Sequence, residues 1–120
     1  MSALTLAQAR TLIDGALAVA REQGFRPMGV VVVDAAAQVL ASAREDGATA
    51  LRLDIALGKA AAAAGMGVNT RVLTQRAKEL QVFFGAVSAV SQQKFIPQTG
   101  AVLITDASGA VIGAAGASGG

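Results

Sequence analysis

The chain has no histidine, cysteine, tryptophan or tyrosine. Without His and Cys there is no imidazole or thiolate metal site, no Ser-His-Asp triad and no cysteine nucleophile. No disulfide can form, so cysteine usage says nothing about the redox compartment. Acidic residues are few: five Asp and three Glu lie scattered with no Asp-x-Asp-x-Asp-Gly loop, and no metal site is expected. Charge of either sign makes up only 15% of 120 residues. So small a charged fraction points to a surface partly hidden in a homo-oligomer.

The basic excess is slight as well. The net charge is +2, although the isoelectric point of 9.7 suggests more. Arg71, Arg76, Lys78 and Lys94 against Glu79 make a local excess in residues 68–98, but no aromatic is interleaved with the first three. A nucleic-acid partner is not expected. The charge-poor stretches contain Asp34 or Asp106 or are broken by Gly, so no membrane span is expected. Met1-Ser2-Ala3-Leu4-Thr5 carries neither a basic nor an apolar leader region, and the expected location is the cytoplasm.

What remains is apolar: 53% hydrophobic residues and a mean hydropathy of +0.54. Residues 1–120 read as one domain with a sizeable core. Thr5-Leu6-Ala7-Gln8 has the form of a capping box, and Leu6, Ala9, Leu12, Ile13, Ala16, Leu17 and Ala20 then recur at helical spacing until Gly24. Met28 to Val33 and Gln38 to Arg44 read as a hairpin. Helical period returns from Thr49 through Ala63 and ends at Gly65 and Gly67. Asn69-Thr70 can cap a further helix, residues 82–93 suit a helix weakened by Gly85 and serines, and Lys94-Phe95-Ile96 reads as a short strand. Ala101 to Thr105 and Ala110 to Ala115 form a second hairpin around Asp106-Ala107-Ser108-Gly109, echoing the first. The order predicts an α+β domain: a single antiparallel sheet of about five strands with helices packed on one face.

The chain resembles the GlcG/HbpS family, also called haem-degrading-like, which includes the C-terminal domain of PduO-type proteins. The resemblance spans nearly the whole chain. It rests on Val33-Asp34, on Arg44-Glu45-Asp46-Gly47-Ala48, on Asp54-Ile55-Ala56 with Lys59-Ala60, on Thr70, and on a closing Gly113-Ala114-Ala115-Gly116-Ala117-Ser118-Gly119-Gly120. It implies a profilin-like fold, homo-oligomers and binding of small ligands, with haem or a corrinoid as cofactor in some members. The chain departs from the family in three ways. Lacking His, it has no imidazole axial ligand. Ala37 stands where the first hairpin usually has Gly, which costs about 1 kcal/mol if that position needs φ > 0. The sequence stops at Gly120, where relatives commonly continue into an acidic helix.

Four polar residues are candidates for chemistry: Arg44, Asp46, Asp54 and Lys59. In one reading Arg44 and Asp46 form a local ion pair and Asp54 caps or solvates its helix. In the other they build an anionic-ligand pocket, Arg44 forking onto a carboxylate with Lys59 as a point charge and Asp46 or Asp54 as base. Lys59 is a lone cation before five alanines; it is either a desolvated amine able to act as base or Schiff-base nucleophile, or a snorkelling side chain at an interface. The glycines from Gly113 onward lack the Lys-Ser/Thr of a phosphate loop. They let the strand end lie against a helix or subunit, or else expose backbone N–H groups of Gly116, Ser118 and Gly119 to a ligand. Three functions are compatible with these residues. One is a binding protein for a haem-like tetrapyrrole or small organic acid. Another is an enzyme using Lys59 and Asp46 or Asp54 on a small carboxylate. The last is an assembly protein with no site.

Overall fold

The computed structural model describes residues 3–92 and 94–119. Along the chain these form α1 (Leu6–Glu22), β1 (Gly29–Asp34), β2 (Val39–Arg44), α2 (Leu51–Met66), α3 (Thr70–Glu79), α4 (Gln81–Val90), β3 (Ala101–Thr105) and β4 (Val111–Ser118). The start of α1 is the capping box: the Gln8 N–H donates to Thr5 Oγ1 at 3.1 Å and the Thr5 N–H to Gln8 Oε1 at 3.0 Å. Ala9, Ile13 and Ala20 form its buried stripe, and Gly24 follows in the left-handed region at φ +70°.

The four strands form one antiparallel sheet in the order β2-β1-β4-β3. Both hairpins turn by the same device. Asp34 Oδ1 accepts from the N–H groups of Ala36 and Gln38 at 2.9 and 3.0 Å. Asp106 Oδ1 accepts from those of Ser108 and Ala110 at 2.9 and 3.1 Å. The fourth residue of each turn is left-handed, Ala37 at φ +63° and Gly109 at φ +87°.

Successive side chains of a strand point to opposite faces. Val30 and Val32 pack with Ala9, Ile13 and Ala20 of α1, whereas Val31 and Val33 pack with Ala56, Ala60 and Ala63 of α2. Helices therefore cover both faces, a correction to the one-face packing read from element order. The continuous valine run was the relevant signal, because a strand buried on both sides has no polar alternation. Among the described residues the strand count is four, because Lys94-Phe95-Ile96 is not a strand. The Ile96 N–H donates to Gly58 O on α2 at 3.1 Å, and Phe95 stacks on Phe84 with centroids 5.6 Å apart. The ambiguous stretch is helical through Val90, and Gln93 lies outside the described residues.

Close backbone approach fixes α2, and side-chain hydrogen bonds fix α3. A Cβ at Gly116 would overlap Ala56 O and meet Ala60 N at 3.0 Å; one at Gly29 would meet the Arg52 carbonyl carbon at 2.9 Å. The α2 backbone thus lies directly on β1 and β4 with no side chain as spacer. Thr70 Oγ1 donates to Ala101 O at 3.1 Å and accepts the Ala101 N–H at 2.9 Å, completely buried. Asn69, positioned to cap α3, makes no side-chain cap bond; its Oδ1 accepts the Leu103 N–H at 2.8 Å and so covers the β3 edge.

Candidate functional site

Close seating of α2 on the sheet decides where its polar side chains emerge. Arg52 and Lys59 are seven residues apart, two helical turns, and so share one side of the helix. That side overlooks the end of β4. Arg52 Nη1 donates to Ser118 Oγ at 3.3 Å, and Lys59 Nζ donates to Ala117 O at 3.2 Å. Ser118 is buried. Gly100, at φ +133°, leaves room for the amine: a Cβ there would meet Lys59 Nζ at 2.9 Å and Ala117 O at 2.8 Å.

Neither cation has a carboxylate partner among the described residues, whose ion pair is Arg21–Glu45 at 2.9 Å. Burial lowers the Lys59 pKa below the usual 10.5, and the Arg52 charge lowers it further. The result is a half-buried amine at the Ala117 carbonyl and a guanidinium at the adjacent Ser118 hydroxyl, a set of donors suited to an anion.

The other sequence-predicted residues divide around this point. Gly116 lies beneath α2 and Gly119, at φ +147°, lies against Pro27 and Met28, so both continue the strand end that holds Ser118. Arg44 pairs across the ladder with Gly29, and Gly29 with Ser118, which puts Arg44 at the same end of the sheet two strands away. Arg44 Nη1 donates to Ala48 O at 2.6 Å and makes no ion pair with Asp46. Its neighbour Glu45 holds Arg21 and accepts the Met28 N–H at 2.8 Å. Arg21, Pro27, Arg44, Glu45 and exposed Asp46 line a cleft of about 470 Å³. Asp54 is exposed in the first turn of α2 and bonds neither Lys59 nor any other described group. No contact joins Lys59 to Asp46 or Asp54. Sequence reasoning missed Arg52; its one signal was the two-turn spacing to Lys59.

A second concavity lies on the opposite face of the sheet. Leu12, Val19 and Phe25 with Met28, Val30 and Ala117 line an apolar groove of about 580 Å³ beside α1. Its donors are a thioether and the Thr11 hydroxyl, which is bonded to Ala7 O at 3.1 Å. The side chains that line it offer an apolar surface with sulfur and oxygen but no nitrogen. Among the described residues no group of three His, Cys, Asp or Glu converges to hold a metal ion, and no helix is long and apolar enough to cross a membrane.

Comparison with known proteins agrees with this architecture. Klebsiella pneumoniae protein ORFY matches with a TM-score of 0.88 at 29% identity, over 100% of this chain and 81% of that one. A PduOC:heme complex matches with a TM-score of 0.86 at 25% identity, over 99% and 84%. A double mutant of Streptomyces reticuli HbpS matches with a TM-score of 0.82 at 27% identity, over 99% and 76%. No curated protein sequence matches the chain. The model of the haem degrading protein HbpS-like family matches residues 4–120, and the chain belongs to that family.

Proposed function

We propose that the protein is a homo-oligomeric small-molecule-binding protein whose ligand carries a carboxylate, held at the end of β4 by Arg52, Lys59 and Ser118. One observation carries this reading: two cations meet adjacent residues at the end of β4, Arg52 the buried Ser118 hydroxyl and Lys59 the Ala117 carbonyl, with no acidic partner among the described residues. Two like charges held side by side repel, and a bound anion removes that cost while gaining charge-assisted hydrogen bonds. Arg44, in the neighbouring cleft, adds positive potential at the same sheet end. Calorimetric titration with small mono- and dicarboxylates tests the proposal. Binding that weakens at least tenfold in Arg52→Gln supports it; identical affinity in that variant overturns it.

A second reading has its own support. The apolar groove beside α1 and the likeness to a PduOC:heme complex favour a haem-like tetrapyrrole. Binding there would be chiefly hydrophobic, with Met28 as the thioether at hand. Haemin titration followed by absorbance decides between them: a saturable spectrum lost in Phe25→Asp and retained in Arg52→Gln places the ligand on the α1 face.

A further inference from the structure

The Lys59 amine stands apart from what a simple anion clamp needs. A clamp works best with a fully charged amine, yet this one is half-buried beside a guanidinium and, among the described residues, bonded to a neutral carbonyl. Resting on the carboxylate-site reading above, we propose that Lys59 is a carbonyl-capturing nucleophile and that the site's ligands are 2-oxo acids, their carboxylate on Arg52 and Ser118 and their carbonyl carbon on Lys59 Nζ.

The placement follows from the strand. Ala117 and Ser118 are consecutive, so the atoms that receive Lys59 and Arg52 are neighbours along β4. A 2-oxo acid likewise carries its carboxylate and its carbonyl on adjacent carbons. Arg52 then has two roles: it binds the carboxylate, and its charge favours the neutral amine that alone can attack. The burial of Lys59 and the nearby Arg52 charge act in the same direction. In the reaction the nitrogen lone pair forms a bond to the carbonyl carbon. The carbon–oxygen bond then breaks, and the oxygen leaves as water with two protons from the amine. The product is a neutral imine, and no electrons are exchanged. Gly100 keeps the space around Nζ free of a side chain.

The test uses the intact protein with pyruvate and cyanoborohydride, which reduces any imine to a stable adduct, followed by peptide mapping. The internal standards are Lys78 and Lys94, both exposed. The expected result is capture at Lys59 several-fold faster than at either standard, slowed by excess lactate, which offers the same carboxylate without a carbonyl. Equal capture at the three lysines, or slower capture at Lys59, overturns the inference. Lactate binding measured in parallel separates the two claims. If lactate binds and Lys59 is not captured, the carboxylate site stands and the imine does not. If lactate does not bind and capture is uniform, both fall.

Discussion

Ala37 and Gly109 occupy equivalent places in two turns built alike, and only one of them is a glycine. A Cβ in the left-handed region costs about 1 kcal/mol, so the first hairpin carries a strain the second lacks. Ala37→Gly is expected to raise stability by about 0.5–1 kcal/mol, and Gly109→Ala to lower it by about 1 kcal/mol, both read by urea unfolding. Lys59 provides a residue-scale test through pH. Its folded-state pKa lies below 10.5, so between that value and 10.5 the unfolded chain binds more protons. Stability contributed by Lys59 therefore rises with pH across that window and is flat below it. Arg52 is the charged group facing it. The difference between wild-type and Lys59→Met unfolding curves is expected to show this rise, and a flat difference would remove the case for a depressed amine.

At the scale of elements, the contact of α2 with β4 depends on a missing side chain. In Gly116→Ala the new methyl meets the α2 backbone at Ala56 and Ala60, which cannot move without lifting the helix. A loss of about 3 kcal/mol, the upper end of overpacking, is expected. Gly58→Ala is the contrast. There the methyl meets the Ile96 side chain, Cδ1 and Cγ1 at 2.7 Å and Cβ at 3.3 Å, instead of helix backbone, and a mid-helix alanine recovers about 1 kcal/mol of propensity. A smaller loss than for Gly116→Ala is expected, measured in the same unfolding series. These elements were unequally legible in the sequence. α1 could be read because Thr5 and Gln8 mark its start, and both hairpins because an Asp opens each turn. The strand expected at Lys94–Ile96 failed because its donor goes to a helix carbonyl, a tertiary partner that no local pattern encodes. The site was half legible. Lys59 stood out against alanines, but its partner Arg52 became visible only once the Gly29 and Gly116 contacts had set the helix down on the sheet.

At the scale of the molecule, the distribution of apolar surface supports the proposed homo-oligomer. No charged residue occurs from Gln81 to Val90, and Val82 and Val90 are 91% and 85% exposed. A helix so bare of charge is suited to contact with a second copy. Native mass spectrometry of Val82→Lys/Val90→Lys is expected to show smaller species than wild type; an unchanged assembly would place the interface elsewhere. The central ladder has a consequence of another kind. β1 pairs with β4, Gly29 opposite Ser118, across most of the chain's length. During synthesis the four valines of β1 therefore wait, hydrogen-bonded on one side only, until the residues of β4 have been made. An open apolar strand edge of that sort is a template for wrong partners. Its exposure is a matter of timing, so translation speed and chaperone access, more than the final stability of the sheet, should govern how much of this protein reaches its folded form.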